Sequence, residues 1–119
     1  MYGVCQGVIS RDSLASRLDE ARVLILPHRP LGAVRGDSMK LYDYAARGRP
    51  IVSTRWADDL GETAPPGTFV ADTAEQFADA VALAVDEDPC DRAARRAWAE
   101  KQNWSSRWDA WAQAVFGPR

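Results

Sequence analysis

The sequence predicts a three-layer α/β fold, a parallel sheet flanked by helices, with a helical C-terminus. Three observations predict it. The apolar run at 23–26 and the run at 51–52 have the composition of strands covered on both faces. The segment between them, 38–47, carries Leu41, Tyr44 and Ala45 at helical spacing, and Gly48 and Pro50 then stop the helix. Thr73-Ala74-Glu75-Gln76 opens a further helix with the pattern of a capping box.

The remaining elements follow in chain order. Residues 1–9, with Gly3, Val4, Gly7, Val8 and Ile9, suit a short strand and a turn. Ser10 is the expected cap of a helix with Asp12 in its first turn and Leu14, Leu18 and Ala21 on its buried face. Residues 55–67 hold Trp56, Gly61 and Pro65-Pro66 and read as a loop with one helical turn near 58–60. A last strand is expected at 68–70, before a helix whose apolar stripe is Phe77, Val81, Ala84 and Val85. Past Pro89 the chain reads as helical, with Ala94, Ala97 and Trp98 inward and a break at Asn103. The terminal helix carries Trp108, Trp111, Ala112 and Val115 as one stripe. Given its helical spacing and few flanking positive charges, the cluster of Trp98, Trp104, Trp108 and Trp111 is read as core or domain-interface packing rather than as a nucleic-acid platform or a carbohydrate-binding surface.

Composition bounds the function. The 119 residues suit one domain, 1–119, with 89–119 a helical extension. A net charge of -2 provides no general attraction to nucleic acid or anionic lipid, so neither is expected as a partner. No apolar run approaches the roughly 20 residues that span a bilayer, and a cytoplasmic location is the expectation. Cys5 and Cys90 stand outside any metal-ligand spacing and read as free thiols. No metal site and no cofactor are expected.

The candidate site lies where the first buried strand leads into the helix at 38–47. Ligands of open parallel sheets sit outside the carboxyl ends of strands, where the free amides of helix N-termini favour anions. A phosphate-bearing ligand is therefore expected. Ser38 is the expected N-cap, Lys40 offers a cation, and Asp43, sharing its face, offers a carboxylate for sugar hydroxyls. The plainer alternative for Lys40 and Asp43 is a solvated ion pair worth about 0.2–0.5 kcal/mol. Arg29, in the same loop, is an expected contact to donor or acceptor because its planar fork suits phosphate. His28 reads as a structural loop residue. Asp37 would repel a diphosphate and is expected to point away or to help cap the helix.

The stretch Ser38-Met39-Lys40-Leu41-Tyr42-Asp43-Tyr44-Ala45-Ala46-Arg47-Gly48-Arg49-Pro50-Ile51 resembles the donor-binding segment of GT-B glycosyltransferases of the group 1 type. These enzymes pair two Rossmann-like domains and carry a Ser-x-Lys-x-x-Glu-Tyr-x-Ala-x-Gly-x-Pro-Val pattern. Asp43 stands where that pattern has a ribose-binding Glu, and Arg35 stands where the retaining branch has the partner of that Glu. Gly67-Thr68-Phe69-Val70-Ala71-Asp72 and Asn103-Trp104-Ser105 extend the resemblance towards the C-terminus.

The resemblance implies part of a Rossmann-like donor domain, with Ser38, Lys40 and Asp43 binding a nucleotide-sugar and no catalytic residue assigned. It implies sugar transfer to a glycan or lipid-linked acceptor, polysaccharide biosynthesis as the setting, and an acceptor domain or partner chain outside this sequence. That missing part would hold the acceptor and any contact with the inner membrane face, and the chain alone is expected to lack turnover. A non-catalytic nucleotide-sugar-binding module and a sugar-nucleotide epimerase of the same fold are the alternatives. A phospho-receiver would need acidic residues near Cys5 and Leu26, and the sequence has none there.

Overall fold

The structure, a computed structural model, describes residues 5, 7–29, 38–55 and 60–117. Helix α1 spans Arg11–Glu20, strand β1 Leu24–Leu26, α2 Met39–Ala46 and β2 Ile51–Thr54. The short α3 spans Leu60–Thr63, β3 Phe69–Ala71, α4 Ala74–Ala84, α5 Pro89–Lys101 and α6 Trp104–Phe116. The strands pair in parallel in the order β1-β2-β3, with Leu24 opposite Ile51 and Val52 opposite Phe69. This is an α/β fold compatible with a Rossmann-like arrangement.

Successive residues of β2 face opposite sides of the sheet, and each side has its own core. Ile51 packs with Leu26 of β1, Leu41 and Ala45 of α2 and Leu60 of α3. Val52 packs with Ala80 and Ala84 of α4, where Phe77 and Val81 border it. The small alanines let α4 lie close on the strand. Helix α5 backs α2 from outside, with Trp98 reaching the first core and stacking on Tyr42 at 5.6 Å between ring centroids.

The α2–β2 connection depends on Gly48, whose φ of 70° is one that residues with a Cβ rarely adopt. A Cβ there would lie 2.7 Å from Arg96 Nε and 3.0 Å from the Arg92 carbonyl oxygen, so α5 closes over this turn at van der Waals distance. Nearby, Arg95 is fully buried and donates to Glu87 and to the Arg49 carbonyl oxygen, at 3.2 Å for the latter. This clasp ties α5 to the segment after α4 and to the chain entering β2. Asp19 at the end of α1 accepts from Arg47, Nε to Oδ1 at 2.9 Å, while the Asp19 carbonyl oxygen accepts from Arg49.

Several expectations are corrected. Ile25 of β1 is 45% exposed, so one face of this strand is open where cover on both was expected. Leu14, Leu18 and Ala21 are only half-buried, and Arg11 and Asp19 of α1 form ion pairs with Asp43 and Arg47. Ala94 and Ala97 are exposed, and Arg95 takes the inward position because Glu87 is there to pair with it. Val85 is exposed, and Ala80 takes its place in the buried stripe. Of the two readings of the α6 stripe, core packing is excluded, since none of that helix is buried and its tryptophans are exposed. The last strand runs one residue later than expected and the helical turn forms at Leu60–Thr63.

The cap of α4 departs in detail from a capping box. Thr73 accepts from the Gln76 amide, but the Gln76 side chain reaches the Asp72 amide rather than that of Thr73. Of the strand expected at 1–9, residues 1–4 and 6 lie outside the described residues, and Cys5, Gly7, Val8 and Ile9 are irregular. Trp56, Arg35 and Asp37 also lie outside them.

Candidate functional site

The N-terminus of α2 differs from the other long helix starts. Ser10, Thr73, Asp88 and Asn103 each accept a backbone amide with the side chain, which satisfies one of the donors a helix start leaves open. Ser38 occupies the N-cap position of α2 with extended backbone, as expected, yet its side chain makes no capping bond. Among the described residues the first-turn amides of Met39 and Lys40 therefore have no side-chain cap, and they lie at the positive end of the helix dipole.

Lys40 is exposed and has no ion pair among the described residues. Asp43, one turn on, does not pair with it. Instead Arg11 of α1 approaches the Asp43 carboxylate with two bonds, at 3.0 and 3.3 Å. Arg11 is 77% exposed, so the pair is a surface contact that water and salt weaken. Beside it, burial pushes the Tyr44 phenol above its ordinary pKa, with the Asp43 charge adding to the shift.

A cleft of about 480 Å³ lies at the carboxyl ends of the three strands, the place where parallel sheets bind ligands. Pro27 and His28 follow β1, Thr54 and Arg55 end β2, and Asp72 and Thr73 lead from β3 into α4. The Thr54 hydroxyl donates to the His28 carbonyl oxygen, which joins the ends of β1 and β2. Arg55 Nε lies 2.7 Å from Asp72 Oδ1, spanning the ends of β2 and β3. Arg29 is exposed and follows His28 in the chain, but it is not among the residues lining this cleft. Ser38, Lys40 and Asp43 are gathered on α2 and are not among the residues lining it.

Arg11, Arg55, Asp72 and Thr73 were not singled out as site residues from the sequence. A signal existed for the last three, since each stands just beyond a predicted strand, where parallel sheets gather their functional side chains. Arg11 had no such signal: it lies 32 residues from its partner and only the packing of α1 brings them together.

A second cavity, also about 480 Å³, lies on the outer side of α2, where α5 gives way to α6. Met39, Tyr42, Gln102, Asn103, Trp104 and Arg107 line it. Arg107 Nη2 donates to the Tyr42 hydroxyl at 3.0 Å, and its guanidinium carbon lies 5.5 Å from the Tyr42 ring centroid.

Among the described residues no group of His, Cys, Asp and Glu is placed to hold a metal ion. Cys5 and Cys90 are exposed and unbridged, and the neighbouring Asp88 pushes the Cys90 thiol pKa upwards. No helix in the described residues is long and apolar enough to cross a membrane. Comparisons of the chain with family models, with curated proteins and with solved structures return no match.

Proposed function

We propose that the chain binds the diphosphate of a nucleotide-sugar at the start of α2 and serves transfer of the sugar to a glycan or lipid-linked acceptor. The observation that carries this reading is the start of α2, where Ser38 makes no side-chain cap and Lys40 is exposed. A diphosphate there would accept from the Met39 and Lys40 amides and meet the Lys40 ammonium group. The same groups would offset the charge that grows on the diphosphate as the sugar leaves, which makes the arrangement suited to group transfer as well as to binding. Asp43 would accept from ribose hydroxyls while sharing its oxygens with Arg11. The resemblance of 38–51 to glycosyltransferase donor segments points to the same chemistry.

Titration calorimetry with uridine, guanosine, adenosine and thymidine diphosphates tests the reading. At least one is expected to bind, with binding lost in Lys40→Ala and weakened in Asp43→Ala. No heat with any of the four, or equal affinity in wild type and both variants, would overturn it.

A further inference from the structure

We infer that the cavity between α2 and the α5–α6 joint is a carbohydrate subsite, with Trp104 as its stacking platform. Trp104 is 87% exposed although it sits at the first position of a helix, so the body of the protein does not use its ring as packing. A ring exposed to this extent offers an open face rather than a slot between two walls. Such a face fits the C–H side of a pyranose, which is apolar in the middle and ringed by hydroxyls.

The polar groups around the platform match that ring. Hydroxyls both donate and accept, and the Arg107 guanidinium and the Gln102 amide supply both capacities within one cavity. Arg107 is held in place, donating to the Tyr42 hydroxyl and, at 3.4 Å, to Gln102 Oε1. Two of its nitrogens, Nε and Nη1, have no bond among the described residues. Asn103 is fixed as the cap of α6, accepting from Ser106 and donating to the Glu100 carbonyl oxygen, so it shapes the wall. Among the described residues no carboxylate lines the cavity, and the one guanidinium there, already shared with Tyr42 and Gln102, is a poor match for a polyanion. A mainly apolar cavity with a few convergent polar groups is the usual form of a small-molecule site.

The volume of about 480 Å³ falls within the range of such sites and accommodates one or two sugar units. Met39 lines the cavity and is the chain neighbour of both Ser38 and Lys40, so a bound glycan would lie alongside the proposed diphosphate position. The choice of a glycan among polyhydroxylated ligands rests on the glycosyl-transfer reading above. The platform rests on the geometry alone.

The test uses methyl glucopyranosides and galactopyranosides, with cello- and malto-oligosaccharides, at millimolar concentrations. Binding is followed by saturation-transfer NMR and by tryptophan fluorescence, with Trp104→Phe to assign the signal. At least one saccharide is expected to bind, with affinity about tenfold lower in Trp104→Ala, the loss expected when an aromatic platform is removed. Trp104→Phe is expected to bind at intermediate strength and Gln102→Ala to weaken binding. Because Trp104 is exposed, folding is expected to survive its replacement, which circular dichroism checks.

Diphosphate binding is measured on the same variants and is expected to be unchanged in Trp104→Ala. Saccharide binding in a protein that ignores nucleoside diphosphates would support this subsite and sink only the donor reading. Diphosphate binding without saccharide binding would overturn the subsite and leave the donor reading standing. Equal saccharide affinity in Trp104→Ala and wild type, or occupancy of the platform by free uridine or guanosine in place of any saccharide, would also overturn it.

Discussion

Helices α4 and α6 have similar lengths and each carries an apolar stripe, yet α4 buries Ala80 and Ala84 against Val52 while α6 buries nothing. The stripes differ in size. Alanines allow α4 to approach the pleated surface of the sheet closely, and Phe77 and Val81 fill the margins. The stripe of α6 is made of Trp104, Trp108, Trp111 and Val115, all at least 50% exposed, and its rings pack on one another. Trp108 and Trp111 stand 5.0 Å apart, and Phe116 meets Trp111 edge-on at 5.8 Å. Helical periodicity therefore specifies a helix and one apolar face in both segments, but only the volume of the side chains and a matching strand decide whether that face joins the core.

The comparison can be broken most severely at the anchor behind α4. Glu87→Ala leaves Arg95 buried without its partner, and a loss of about 3–5 kcal/mol is expected in urea unfolding. A much smaller loss would mean that α5 is not clasped to the body through this pair.

A matched pair of substitutions sharpens the contrast between the two stripes. Ala84→Leu adds volume at a fully buried contact with Val52 and is expected to cost about 1–3 kcal/mol. Trp108→Ala removes far more volume from α6 yet is expected to change stability by about 0.5 kcal/mol or less, because that ring is 60% exposed. Thermal denaturation of both variants checks this, and a larger loss in Trp108→Ala would place α6 within the folding core.

The smallest effect concerns the charged contacts of α1. The bond from Arg47 holds the Asp19 pKa below its ordinary 3.8, so the contact contributes stability above that value. The contribution is lost as pH falls below about 4, through the lowered pKa, when the carboxylate takes up a proton. Asp19→Asn is expected to flatten the acid limb of the stability profile in that range and to leave the shape near neutral pH unchanged. An unaltered acid limb would mean that this pair does not hold α1.

Much of the architecture was legible before any coordinates. The runs at 23–26 and 51–52, the stop at Gly48 and Pro50, the caps at Ser10 and Thr73 and the break at Asn103 all lie where local chemistry put them. These signals act over a few residues, through backbone conformation, capping and periodicity, and so they can be read in a line of letters.

The candidate site was legible in part. Ser38, Lys40 and Asp43 do share the start of α2, because three residues of one helix are placed by the helix alone. What the sequence by itself determined is thus most of the helices and strands and, to within a residue or two, their limits. Tertiary structure alone decided that Asp43 meets Arg11, that Arg95 is drawn inward to Glu87, and that Arg55 spans to Asp72. It also decided that Ile25 and the tryptophans of α6 stay at the surface. Each of these depends on residues far apart in the chain, or on whether a neighbouring surface is present, and no local propensity encodes either.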